Sequence, residues 1–258
     1  MAQAEAMSPP GASPVSASPA GGPDGGTGTG TGEGAAPAAD LAPAAARFVR
    51  GDHIPGDYSP LSHMAMTGSI ATALAIPGVW MATHARLLDW LLAPVFFFVA
   101  NAIEWTVHRY PMHRPLPPRF MYRNHTLIHH LAFTDANMPI TRSAELGLIM
   151  MPWYTIIGLF VVASPVLIVA GLLRGVGLSG VFLLVAVGYF LSYETLHALY
   201  HVPDSTLDRI GIGKIRLFRR MQAHHRHHHV LKRMSQVNFN VTVPLMDVLL
   251  GTRERPDS

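Results

Sequence analysis

Four long apolar blocks, at residues 65–82, 87–105, 146–173 and 176–193, decide what this chain can become. Each reaches the roughly 17 to 25 residues that a helix needs to cross a bilayer. Backbone N–H and C=O groups find no water in the hydrocarbon, so such blocks satisfy them within helices. The third block runs for 28 uncharged residues and contains Pro152 and Pro165. At about 1.5 Å per residue it is too short for two spans and long enough for one tilted or kinked span. The expectation is an all-α integral membrane protein with four transmembrane helices.

Composition supports this and narrows the chemistry. The chain is 49% hydrophobic and 14% charged, and its net charge of +3 comes from Arg and Lys that flank the apolar blocks. That pattern suits a membrane face rather than a nucleic acid. With no cysteine, disulfides, thiolate zinc sites and cysteine-ligated iron–sulfur clusters are excluded. Residues 1–45 are rich in Ala, Gly, Pro, Ser and Thr, hold no Lys, Arg or aromatic residue, and lack the apolar core of a secretory signal. They are expected to be a disordered low-complexity tail, leaving 46–258 as the membrane domain.

Ten of the fifteen histidines fall into four short clusters. They are His108 and His113 in HRYPMH, His125, His129 and His130 in HTLIHH, His197 and His201 in HALYH, and His225, His228 and His229 in HHRHHH. One HxxxH arises readily by chance; four clusters in one chain do not. Imidazole is the commonest side-chain metal ligand, and ten exceed the needs of one tetrahedral ion, so two metals are expected.

The spans bring these clusters together. The connections after spans one and three are short, whereas those after spans two and four are long and hold all ten histidines. Two spans separate the long connections, so they share one side. Of 19 Lys and Arg, five lie in 107–144 and ten in 199–258, against Arg86 and Arg174 on the opposite face. By the positive-inside rule the histidine-rich cap and both termini are cytosolic.

Local spacing is consistent with ligation. His197 and His201 are four apart on a helix extrapolated from span four, so both rings share a face. His225, His228 and His229 also share a helical face, with His224 and His227 offering a competing register. His108 and His113, five apart, would splay on an ideal helix, but Pro111 breaks it and lets the rings converge. Glu104 and Glu194 lie at helical spacing from His108 and His197. They are expected to accept the second ring N–H of metal-bound histidines. Isolated His53, His63 and His84 read as solvent or interface residues. Asp135, Asn137 and Asn238 lie near the clusters without a specific signal.

The stretches EWTVHRYPMH, RNHTLIHHLAFT, YETLHALYH, HHRHHHV and NFNVTVPLMDVLLGT resemble the fatty acid hydroxylase and sterol desaturase superfamily, in the same order relative to four spans, across about 60–255. Some members have two residues between the first His and the HH pair of the second box; this chain has three. The resemblance implies a di-iron centre, two iron ions held by histidines of all four boxes at the cytosolic membrane face. It also implies O2-dependent hydroxylation of a C–H bond of a membrane lipid, with desaturation as the alternative outcome.

Nothing in the chain supplies electrons: there is no glycine-rich dinucleotide fingerprint, cysteine cluster or spare domain. A separate donor protein of cytochrome b5, ferredoxin or reductase type is expected. The basic stretch 214–222 reads as an interfacial helix or a donor-facing surface. A membrane metal transporter would place its histidines near mid-bilayer rather than beyond the span ends.

Overall fold

The computed structural model describes residues 41–254. Most of the expected tail, 1–40, lies outside the described residues. Its last residues do not fit the expectation: Ala42–Ala46 form a short helix, α1, and Leu41 is buried against Leu131 and Met234. Apolar burial at Leu41 thus sets the boundary a few residues before the composition changes.

After α1 the helices are α2 Pro60–Ala82, α3 Leu87–Trp90, α4 Ala93–Val107, α5 Arg119–Tyr122, α6 His130–Ala132 and α7 Tyr154–Arg174. They continue with α8 Val176–Tyr200, α9 Asp204–Arg209, α10 Arg216–His228 and α11 Leu245–Leu249. No strand occurs among the described residues. Four segments are long and apolar enough to cross a membrane: Pro60–Ala82, Leu87–Met112, Tyr154–Arg174 and Val176–Tyr200.

The first span begins where Pro60, whose missing N–H costs nothing in a first turn, follows Ser59, whose hydroxyl accepts from Ser62 N–H at 3.3 Å. The third block is shorter as a helix than its apolar run. Residues Ser143–Leu148 form a 3₁₀ turn, and the helix starts at Tyr154, past Pro152. Pro152 breaks the continuity, and the surplus apolar residues pack into the cap instead: Leu148 and Ile149 are buried with Phe133 and Ala132.

Helix α8 is central and packs against α2, α4 and α7. Its Leu183, Val187 and Phe190 bury with Ala71 of α2 and Ile156 of α7. Gly175, at φ 87°, turns the chain from α7 into α8, a backbone region closed to most side chains. Gly180 permits the close approach of α2, because a Cβ there would collide with the backbone at Met81 and Ala82. Outward-facing Ile76, Trp80, Val161, Val162, Leu172 and Leu173 are exposed, an apolar surface suited to lipid rather than water. At the end away from the histidines, Arg174 pairs with Asp89 at 2.8 Å.

Candidate metal centre

The ten histidines of the four boxes are buried and sort into two groups of five. His108, His113, His125, His130 and His228 form one; His129, His197, His201, His225 and His229 form the other. Within each group, one nitrogen per ring lies within 4.8 Å of all the others. Successive residues of a helix point about 100° apart, so the adjacent pairs His129–His130 and His228–His229 each serve both groups. Boxes two and four are therefore shared, box one belongs to the first group, and box three to the second. The groups abut, with the His130 and His229 ring centres 4.3 Å apart.

The backbone explains the odd spacings. His108–Met112 is a π-helical turn, which closes hydrogen bonds five residues apart and brings His113 back beside His108, their rings stacked at 5.2 Å. A second π-helical stretch, Arg123–His129, does the same for His125 and His130, whose Nε2 atoms are 3.1 Å apart. The three residues between the first histidine and the HH pair are absorbed by this widened turn. His197 lies on the last turns of α8 and His201 caps it, as the extrapolated helix required. His225 and His228 lie on α10 and His229 caps it.

Backbone carbonyls set the tautomers. A carbonyl oxygen only accepts, so the ring nitrogen facing it carries the proton. His228 donates through Nδ1 to Val237 O at 2.8 Å, His129 to Leu148 O at 2.9 Å and His201 to Met138 O at 3.0 Å. His108 donates likewise to Phe239 O, and His229 to Phe133 O. The Thr126 hydroxyl donates to Met112 O at 2.7 Å, so its oxygen accepts from His113 Nδ1 at 3.2 Å. Each of these six rings consequently presents an unprotonated Nε2 to its group.

Two pairs of such lone pairs face each other. The Nε2 atoms of His113 and His228 are 3.1 Å apart in the first group, and those of His129 and His229 are 3.2 Å apart in the second. Neither nitrogen of a pair has a proton to donate, so the contacts repel unless a cation lies between. Protonation offers no escape. Burial pushes the pKa of His113, His129, His228 and His229 down, His129 to about 4, as it does for His125, His130, His201 and His225. The buried His201 Nε2 has no hydrogen-bond partner among the described residues. Nitrogen ligands about 2.1 Å from one cation and at right angles are about 3 Å apart, so the donor set fits two metal ions.

The two glutamates do not do what their spacing suggested. Glu104 accepts from Tyr189 OH, from the N–H groups of Val241 and Thr242, from Asn240 Nδ2 at 3.3 Å and from Thr242 Oγ1 at 2.7 Å. Glu194 accepts from Met151 N–H at 3.1 Å. Among the described residues neither carboxylate makes a hydrogen bond or ion pair to a histidine ring; the carbonyls take that role. Glu104 instead fixes residues 240–242, next to Phe239, whose carbonyl orients His108.

The alternative register of box four falls outside both groups. His224 Nε2 lies 3.2 Å from Asp247 Oδ2, and His227 Nε2 lies 3.2 Å from Glu254. Asp247 was not flagged by the sequence. Its carboxylate accepts from Phe239 N–H at 2.9 Å, Asn240 N–H at 2.8 Å and Thr252 Oγ1 at 2.7 Å. Burial raises its pKa, but the His224 contact and these donors outweigh that and hold it below the usual range. Asn238, at φ 58°, gives the bend that lets Val237 O and Phe239 O both face the first group. Asp135 and Asn137 make no side-chain hydrogen bond or ion pair to a histidine among the described residues; the Asn137 carbonyl accepts from Arg50. His53 stacks on Phe48, His63 bridges Tyr58 and Met151 O, and His84 sits by Trp80, all outside the groups.

Comparison with known proteins bears on the fold and the family. The solved structure of full-length Scs7p, in which only the hydroxylase domain is visible, superposes with a TM-score of 0.52 at 18% identity, covering 76% of this chain and 67% of that one. That likeness establishes the fold. No curated protein sequence matches the chain. The family model for fatty acid hydroxylases matches residues 93–252, the stretch that carries all four boxes and their bracing segments. The chain therefore belongs to the fatty acid hydroxylase family, as an oxidoreductase carried on four membrane-spanning helices.

Proposed function

We propose that the two histidine groups hold two iron ions and that the protein hydroxylates a C–H bond of a membrane lipid, using dioxygen and two electrons. The carrying observation is the facing of unprotonated Nε2 atoms, His113 with His228 and His129 with His229, in a buried site. Family membership supplies the reaction class. Bound iron supplies the redox chemistry that reduces dioxygen and oxidises the C–H bond.

The chain's own residues do the holding and the excluding. Carbonyls of Phe133, Met138, Leu148, Val237 and Phe239 fix ring orientation, which keeps the Nε2 lone pairs aimed inward without rearrangement. Phe133 and Phe239, both fully buried, pack against the rings and keep water from their flanks. A groove of about 440 Å³ between α4 and α8, lined by Phe97, Leu184, Gly188, Tyr189 and Ser192, offers an acyl chain an apolar berth reached laterally from the bilayer. The basic residues around the boxes argue for a cytosolic centre and termini. Electrons come from a separate protein of cytochrome b5, ferredoxin or reductase type.

Lipid mass spectrometry of cells with and without the gene, grown under heavy-isotope dioxygen, tests this reading. A lipid one heavy oxygen heavier than its precursor supports hydroxylation. A lipid two hydrogens lighter, with no oxygen added, assigns desaturation instead.

A further inference from the structure

The two histidine groups are braced by different parts of the chain. The first takes its carbonyls from Val237 and Phe239, next to the C-terminal turn held by Asp247. The second takes all of its carbonyls from one segment, at Phe133, Met138 and Leu148. That segment contains little regular structure beyond two short 3₁₀ turns, at Asp135–Asn137 and Ser143–Leu148, so something else must fix it.

Arg50, from the turn before the first span, meets this need. Its Nε donates to Ala132 O at 2.8 Å, Nη1 to Pro139 O at 2.9 Å and Nη2 to Asn137 O at 2.5 Å. Nη1 also pairs with Glu145 at 2.7 Å, and the guanidinium lies 4.2 Å from the Phe133 ring centre. The other face of the contact continues inward, since the Phe133 ring packs on His201 at 4.7 Å and on His129 at 5.5 Å. Glu145 is fixed in turn by Thr141, through N–H at 3.0 Å and Oγ1 at 2.7 Å. Among the described residues, every side-chain hydrogen bond of Arg50 ends between residues 132 and 145, and none reaches a residue whose carbonyl braces the first group.

We infer that Arg50 is a positioning residue for the second histidine group alone, tying down through Ala132, Asn137, Pro139 and Glu145 the segment whose Phe133, Met138 and Leu148 carbonyls orient His229, His201 and His129, and thereby setting the metal affinity of one of two otherwise similar sites. The inference rests on the metal-centre reading above. A planar fork with donors in fixed directions can reach three carbonyls and a carboxylate at once; an ammonium cannot. Loss of partners that orient metal-bound histidines typically costs 10- to 100-fold in metal affinity.

The test is iron content and the rate of iron release to a chelator, measured on the purified full chain. The wild type is expected to hold about two irons per chain. Arg50→Ala is expected to release one of them roughly 10- to 100-fold faster, with the other unchanged, and Arg50→Lys to fall between. Adding His225→Ala to Arg50→Ala should change the slow phase little, whereas adding His228→Ala should remove it. Equal loss of both irons in Arg50→Ala, or release identical to wild type, overturns the inference. A wild type that holds no metal overturns the metal-centre reading itself, whatever Arg50 does.

Discussion

The Nε2 atoms of His113 and His228 approach to 3.1 Å across 115 residues of chain, with both rings already committed as donors through Nδ1. Two unprotonated nitrogens at that distance repel unless a cation lies between them, an arrangement suited to a metal site. His113→Ala or His228→Ala is expected to lose iron from the first group and abolish turnover, and His201→Ala to do so from the second. Metal analysis of each purified variant checks this. Retention of both irons with normal turnover in all three contradicts the grouping.

His224 and His227 belong to a different physics. His224 sits against the buried Asp247, and His227 against Glu254 near the surface. His224→Ala is expected to leave iron content unchanged while lowering stability by about 1–3 kcal/mol, the typical cost of stripping a partner from a buried polar group. His227→Ala is expected to lower neither by a measurable amount, since partly exposed ion pairs contribute about 0–1 kcal/mol. Thermal melts and metal analysis together decide the register.

Asp247 makes part of the stability pH-dependent. Its folded pKa lies below its ordinary value, so the unfolded chain binds its proton more readily than the folded one. The carboxylate's contribution is full above the ordinary carboxylate range and is lost as pH falls through the lowered folded value. Asp247→Asn is therefore expected to be less stable near neutrality, by about 3 kcal/mol for a buried group with several donors. The gap between its melting curve and that of the wild type should close below about pH 4. A gap that stays constant from neutral to acid pH contradicts the linkage.

The groove between α4 and α8 has room at Gly188, where an added Cβ meets nothing within 4 Å. Gly188→Phe is expected to fill it without straining the helix, and to raise KM for the lipid about tenfold or more while changing kcat far less. Unchanged KM assigns the acyl chain to another path.

The spans and the histidine clusters were legible in the sequence because both are written in local patterns. Apolar length marked α2 and α8, and helical spacing joined His197 to His201. The π-helical turns were not legible as such: Pro111 signalled a break, but only the backbone shows how HRYPMH and HTLIHH each return a histidine five residues on. The start of α7 was misjudged because hydropathy cannot distinguish a span from buried cap residues such as Leu148. The glutamate assignment failed for a related reason. Helical spacing puts Glu104 near His108, but its carboxylate turns to the unpaired N–H groups of Val241 and Thr242, more than 130 residues away in sequence, and carbonyls serve the rings. Arg50 acts through contacts 82 to 95 residues distant, which no local pattern encodes.

Iron stoichiometry with X-ray absorption on the purified full chain tests the central claim most directly. About two irons per chain, each with nitrogen-dominated ligation from imidazole and no haem signature, is the result expected from two five-histidine groups. One iron or none per chain after expression with ample iron, or ligation dominated by carboxylate oxygen, contradicts it.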